Sequence, residues 1–241
     1  MKRKWIRWVS WILLTPIILF VILMVLLYVP PVQNLLRREV TAYASKVTGM
    51  QIQVERIDLR FPLNLLVRGV EVIQQPDTLL SLESLNVRVQ AWPLIKGKVE
   101  VDEVTLSRVA VNSADLMEGM KIKGVLGRFF LQSHGVDLSN ELAVINQVEL
   151  SDTHMQLLMN DTTTTPKDTT ASAPINWKVA LHQLKLKNVS FGMQLPADSM
   201  RMTAHIGEAA INNAQADLKN QYYDLKKFLL SGTSASYDTG T

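Results

Sequence analysis

The chain begins with a long apolar run. No charged side chain occurs between Arg7 and Arg37, and positions 8–29 are almost entirely apolar. In an α-helix about twenty residues, at ~1.5 Å each, are enough to cross the ~30 Å hydrocarbon core of a bilayer. The pattern therefore predicts a transmembrane helix over residues 8–29.

The flanks of this run predict its orientation. Four of the first seven residues are basic: Lys2, Arg3, Lys4 and Arg7. Positive charge is retained on the cytoplasmic side, so residues 1–7 should form a cytoplasmic tip and the rest of the chain should be exported. A cleaved secretory signal is the alternative. The apolar run exceeds the usual 7–15 residues and is followed by Pro30-Pro31 without a small-x-small cleavage site, which favours a retained signal-anchor.

A short amphipathic helix is predicted over 30–49. Apolar residues recur there at helical spacing, and Pro at the start with Gly49 at the end is the usual helix asymmetry. The apolar side consists of Val32, Leu35, Leu36, Val40, Tyr43 and Val47. This helix should link the membrane to the first strand.

From Met50 the hydrophobic period changes to two, which indicates half-buried β-strands. Four segments share the pattern apolar-x-apolar-x-x-apolar-x-apolar: 52–59, 80–87, 99–106 and 179–186. One extra residue in a period-two strand requires a β-bulge or break, since otherwise the apolar set would move to the opposite face. The pattern predicts a mainly β protein built on a repeating, bulged antiparallel sheet.

Two sections of this sheet are expected, over 50–158 and 176–241. Between them, 159–175 is rich in threonine and offers almost no core-forming residue, so a mobile loop is expected. Within the first section, residues 113–141 are less regular, and Ala114–Met120 suggests a short helix or loop. The last residues look like one more strand with nothing to cover its edge, so we expect the sheet to continue beyond Thr241.

Such a sheet exposes one apolar face with too little helix to cover it. The face must either pack as a sandwich or barrel, or line an open trough that shelters acyl chains. The candidate lining residues of a trough are Val101, Val104, Leu106, Val109, Leu181, Leu184 and Leu186.

Composition limits the chemistry. Four of the 25 basic residues belong to the basic tip, which leaves 21 basic against 22 acidic residues, so no nucleic-acid-binding surface is indicated. Cysteine is absent, and the four histidines show no metal-ligand spacing. No nucleophile elbow or phosphate loop occurs. We therefore expect neither an enzyme nor a bound cofactor or metal.

Particular segments resemble a known family. The anchor, the helix ending Lys46-Val-Thr-Gly49, the strands Leu66–Val72 and Leu79–Leu82, and the segment Val99–Leu106 are similar to the start of TamB-type proteins of the AsmA-like superfamily. Further segments resemble the version found in Bacteroides-like bacteria: 124–131, 135–137, Trp177 and 237–240.

This resemblance implies a single-pass inner-membrane protein with most of its chain in the periplasm. Its elongated, curved β-groove would move phospholipid to the outer membrane, or assist assembly of outer-membrane barrel proteins with a barrel partner. The given chain would be the N-terminal portion. A periplasmic adaptor of a secretion system is one alternative, although no long heptad-patterned hairpin is present. An anchored hydrolase and a structural β-domain with a filled core are the others.

Overall fold

A single open β-sheet of nine strands makes up most of the protein. The computed structural model describes residues 29–61, 63–95, 100–114, 116, 119–137, 141–159 and 176–239. The strands lie in chain order across the sheet: β1 Gln51–Arg60, β2 Asn64–Gln74, β3 Asp77–Val89, β4 Val101–Asn112, β5 Met120–Asp137, β6 Leu142–Met159, β7 Lys178–Leu195, β8 Met200–Asp217 and β9 Tyr222–Thr239. Two α-helices, α1 Pro30–Thr48 and α2 Ala91–Ile95, and a 3₁₀ turn Pro196–Asp198 complete the described structure.

Helix α1 contacts β1, the first edge strand. The chain leaves the helix through Gly49, whose left-handed conformation (φ 69°) suits glycine. Arg37 Nη1 donates to the carbonyl oxygens of Val54 and Glu55 at 3.2 and 3.1 Å, and the amide of Ile52 donates to Ser45 Oγ at 3.1 Å. These bonds occupy backbone groups of an edge strand that has only one strand neighbour, so α1 protects this end of the sheet.

The apolar side of α1 does not pack on the sheet. Leu35, Tyr43 and Val47 are 58, 71 and 66% exposed. The side chains that reach β1 are instead polar and follow an i, i+4 line on another side of the helix, beginning at Gln33 and continuing through Arg37. The helix therefore presents its apolar stripe away from the strand that it contacts.

The expectation of a wholly antiparallel sheet is wrong at one position. Strands β6 and β7 are parallel, with Leu142 opposite Lys178 and Leu158 opposite Gln194. All other neighbouring pairs are antiparallel. A parallel pair needs a connection of a dozen or more residues, and the chain between Met159 and Lys178 has that length. The two predicted sheet sections thus belong to one sheet.

The irregular segment expected over 113–141 is largely a strand. Strand β5 has 18 residues and pairs with both β4 and β6. Gly124 and Gly127 made the strand pattern of β5 hard to recognise in the sequence, because glycine is depleted in strands. An ideal Cβ on Gly127 would lie 2.7 Å from Asp152 Cβ and 2.9 Å from the Asp152 carbonyl oxygen, so strand β6 leaves no room for a side chain there.

One row of residues crosses all nine strands and breaks the period of two in each of them. Its members face one another in neighbouring strands: Glu55, Gly69, Glu83, Arg108, Gly127, Asp152, Asn188, Gly207 and Gly232. Glu55 and Glu83 occupy the extra position of the segments 52–59 and 80–87, whereas Arg108 and Asn188 lie just beyond the segments 99–106 and 179–186. A conventional bulge sets two residues against one. Here each extra residue meets another extra residue, so pairing resumes in the same register beyond the row. We call this line the irregular row.

The backbone of the irregular row depends on strand direction. Positive φ angles occur in the five strands that run in one direction, at Gly69, Arg108, Asp152, Asn188 and Gly232 (45–61°). The four opposite strands have no positive φ at this row. Glycine, asparagine and aspartate tolerate this conformation best, and four of the five positions have one of them. Only Arg108 departs from this preference, and it forms an ion pair with Glu83 across the row.

The predicted anchor over 8–29 lies, apart from Val29, outside the described residues, as do the basic tip and, apart from Met159, the threonine-rich segment. Neither helix within the described ranges combines the length and apolar character needed to cross a bilayer.

A candidate apolar binding face

One face of the sheet presents apolar side chains from every strand. Because directly paired residues project to the same face, the register defines rows that cross the sheet. The first row is apolar in all nine strands: Ile57, Val67, Leu85, Leu106, Phe129, Leu150, Leu186, Ala209 and Leu230. The second row is also apolar throughout: Leu59, Leu65, Val87, Val104, Leu131, Val148, Leu184, Ile211 and Phe228. We call this surface the apolar face.

The irregular row keeps this face continuous. Beyond it, Val109 pairs with Leu82 and Leu126, so a third largely apolar row follows on the same side. Leu106 and Val109 are three residues apart, so strict alternation would place them on opposite sides of the sheet. The break in alternation at Arg108 places them on the same side. The backbone irregularity therefore produces an apolar face that extends along the strands as well as across them.

The seven residues proposed from sequence all occupy apolar paired positions. Leu106 and Leu186 belong to the first row and Val104 and Leu184 to the second, while Val109 lies across the irregular row. The other two lie toward the opposite end of the strands, where Val101 pairs with Val89, and Leu181 pairs with Ile145 and Ala214. Contact of these residues with a ligand stays a prediction.

Sequence reasoning missed the contribution of β5. Phe129 and Leu131 each complete one of the two rows. The signal was present, since Leu126-x-x-Phe129-x-Leu131 repeats the spacing of the other strands. Glycine at 124, in an apolar position of the pattern, concealed it.

The side chains of the apolar face are partly exposed to solvent. Within the described ranges, only Leu79, Leu82, Ala143 and Ala209 are buried apolar residues, and no large side chain is fully buried. Leu106, like most members of the rows, is half-buried. The inner faces of a packed sandwich would be excluded from water. The described sheet is therefore an open layer whose apolar side chains cover one another only laterally.

The dimensions of this face suit an elongated apolar ligand. Eight inter-strand steps of about 4.8 Å make each row about 38 Å long. One acyl chain of a phospholipid spans roughly half of the ~30 Å hydrocarbon core of a bilayer. A single row is thus longer than an acyl chain, and an exposed apolar surface of this size is characteristic of a binding surface.

The two edges of the sheet differ. Strand β1 is hydrogen-bonded to α1, whereas β9 has β8 as its one neighbour among the described strands and is exposed along nearly its whole length. Tyr222, Phe228 and Tyr237 of β9 are 59, 52 and 64% exposed. Further growth of the sheet, by any strand, is therefore possible at β9 and hindered at β1.

Asp217 and Lys178 are ionisable groups with a structural role near the turn between β8 and β9. The pKa of Asp217 is lowered because its carboxylate accepts hydrogen bonds from Asn220, with Lys178 Nζ 3.7 Å away. These groups hold the turn between β8 and β9. Within the described ranges, no three His, Asp or Glu side chains converge as a metal site would require.

Comparison with known proteins adds no family assignment. No protein-family model matches the sequence, and no curated protein matches it. The resemblance to TamB-type proteins therefore stays a hypothesis, and a function has to be inferred from the geometry of the sheet.

Proposed function

We propose that this protein is a membrane-anchored scaffold of the bacterial periplasm whose apolar face holds phospholipid acyl chains during transfer toward the outer membrane. The supporting observation is the pair of apolar rows that span nine strands and that no other described part of the chain covers. Each methylene that leaves water contributes about 0.8 kcal/mol, so even partial burial of an acyl chain is strongly favourable. The protein has no enzymatic activity in this proposal.

Two features favour a position at the membrane. The apolar run over 8–29 is long enough for an anchor. Directly after it, α1 exposes Leu35, Tyr43 and Val47 on the side away from its contacts with β1. An exposed apolar stripe is costly in water but suited to the headgroup boundary of a bilayer. The sheet would then start close to the membrane surface.

The alternatives have less structural support. A secretion adaptor would present a long helical hairpin, whereas the helices described here have 19 and 5 residues. A filled core would require a second layer over the apolar face. Assistance to barrel-protein assembly is compatible with the lipid proposal, because the exposed edge of β9 could accept a strand from a client.

Site-specific photo-crosslinking in cells tests the proposal. A crosslinker at Leu106 should capture phospholipid, since this residue is central to the first row. A crosslinker at Thr105, the residue before Leu106 and therefore on the other face, should not capture phospholipid. Leu186 with Lys185 is a second matched pair on β7. Equal capture at Leu106 and Thr105 would contradict specific use of the apolar face.

The substitution Leu106→Arg separates transfer from folding. On an open face the long side chain can extend its charge to water, so we expect destabilisation of only about 1–3 kcal/mol together with loss of lipid capture at Leu186. In a filled core the unpaired charge would prevent folding. Thr105→Arg is the control. Unfolding of Leu106→Arg, with no lipid adduct in the parent protein, would refute the proposal.

A further inference from the structure

The face opposite the apolar rows contains a depression in the second half of the sheet. Its volume is about 390 Å³, and its lining comes from strands β5 to β9. Gly192 of β7 lines this depression. It directly follows Phe191, whose side chain is on the apolar side of the sheet, so position 192 faces the opposite side. An ideal Cβ on Gly192 would meet nothing closer than Gln156 Cγ at 3.9 Å. The missing side chain leaves the space that we call the Gly192 depression.

Two cationic side chains and two imidazoles line this depression. The cations are Lys123 of β5 and Arg201 of β8, and the imidazoles are His154 of β6 and His205 of β8. Register places Gln156 between Lys123 and Gly192, while His154, Ser190 and His205 are direct neighbours across three strands. Lys121 also lines the depression and has an interaction of its own.

Hydroxyl groups and apolar residues, among them Leu158 and Met193, complete the lining. Ser190 Oγ lies 2.9 Å from His205 Nδ1, and Thr203 pairs with Gly192 across β7 and β8. Among the residues that the structure describes, no acidic side chain lines the depression. The nearest acids by register are Asp238, opposite Arg201, and Asp152, which accepts a hydrogen bond from Asn188 Nδ2 at 2.8 Å. Lys123, Arg201 and two hydroxyl groups therefore line one small concave space.

We infer that the Gly192 depression binds a phosphate group, either as a free phosphate ion or as the headgroup of an anionic phospholipid. Arginine and lysine form strong charge-assisted hydrogen bonds with phosphate oxygens, and serine and threonine hydroxyls add neutral donors. This site goes beyond the proposed function, because it lies on the face that the acyl chains would not use.

The geometry favours one phosphate group over a diffuse basic surface. Lys123 on β5 and Arg201 on β8 lie on either side of Gly192 on β7, a position that lacks a side chain. Elsewhere on the same face, opposite charges alternate: Lys185 of β7 pairs with Glu149 of β6. A variant of Lys185 is therefore a matched control, with the same charge change on the same face but outside the depression.

Calorimetric titration of the full chain in phosphatidylcholine nanodiscs tests the site. The probes are inorganic phosphate and dihexanoyl phosphatidylglycerol, a soluble short-chain phospholipid. Arg201→Gln should weaken binding by about tenfold, the loss expected for one charge-assisted contact. Gly192→Leu should abolish binding by filling the depression, with folding verified by circular dichroism. Lys185→Gln should bind like the parent.

The two probes distinguish the sources of the phosphate. Binding of inorganic phosphate that is sensitive to Arg201→Gln and Gly192→Leu would support a site for the free ion. Binding of the phospholipid alone, with the same sensitivity, would support a headgroup site. Absence of binding to both probes would overturn the inference. Equal weakening by Lys185→Gln and Arg201→Gln would also overturn it, because general surface charge would then be the cause.

Discussion

Alanine substitution at two glycines of the sheet tests the close approach of strands at the irregular row. Gly127 belongs to this row, and a Cβ there would lie 2.7 Å from Asp152 Cβ and 2.9 Å from the Asp152 carbonyl oxygen. Both obstacles are attached to the backbone of β6, so rotation of a side chain cannot remove them. Gly192 is also in a strand, but a Cβ there would have 3.9 Å of clearance. The same substitution should therefore have opposite effects at the two positions.

The expected magnitudes follow from two opposing contributions. Alanine reduces the entropy of the unfolded chain relative to glycine, which stabilises a compatible site by about 0.5–1 kcal/mol. Gly192→Ala should show this gain. At Gly127 the overlap forces neighbouring backbone to move, at a cost of about 1–3 kcal/mol. Gly127→Ala should therefore be destabilised by a net ~1–2 kcal/mol.

Urea unfolding of the full chain in detergent, followed by far-ultraviolet circular dichroism, measures both effects. The two variants should shift the transition midpoint in opposite directions with an unchanged slope. Hydrogen exchange of β5 and β6 amides would locate the loss at the row. If Gly127→Ala is as stable as Gly192→Ala, the close packing of β5 against β6 at Asp152 is wrong.

Three further predictions concern topology and the sheet edge. Deletion of 162–169 leaves eleven residue steps between Met159 and Lys178, which reach at most ~40 Å, whereas the parallel pairing requires the chain to return about 56 Å along the strands. Cysteines introduced at Gln147 and Gln183 should therefore form a disulfide in the parent chain but not after the deletion, and replacing the deleted residues with eight Gly/Ser residues should restore the disulfide. A disulfide in the shortened chain would refute the parallel pair. Arg37→Ala removes two bonds to β1 and should cost about 1–2 kcal/mol in urea unfolding, with exposed Arg38→Ala as control; equal stability of both would show that α1 does not protect the edge. A reporter that is active only outside the cytoplasm should be active when fused after Gly49, and inactivity there would contradict the predicted export.

Much of the fold was predictable from local pattern. The period of two, interrupted by one extra residue, identified strands and the face on which Val104, Leu106 and Val109 lie, because a strand's backbone geometry alone fixes which side each residue takes. The candidate residues on β4 and β7 were predicted in this way, and their contact with a ligand stays a prediction. Strand β5 was missed, because its glycines are required by the close approach of the neighbouring strand β6. The sequence pattern of one strand does not show which strand lies beside it.

Tertiary structure decided how the strands combine. Local sequence does not specify that β6 and β7 run parallel, since a long connection allows either direction. It also does not reveal that the extra residues of nine strands align into one row, which is a property of register between segments far apart in the chain. The apolar side of α1 illustrates the same limit: its pattern predicted a helix, but polar contacts with β1 determined which side faces the sheet. Alternation is set within each strand, whereas register, direction and exposure depend on the neighbours that each strand or helix acquires on folding.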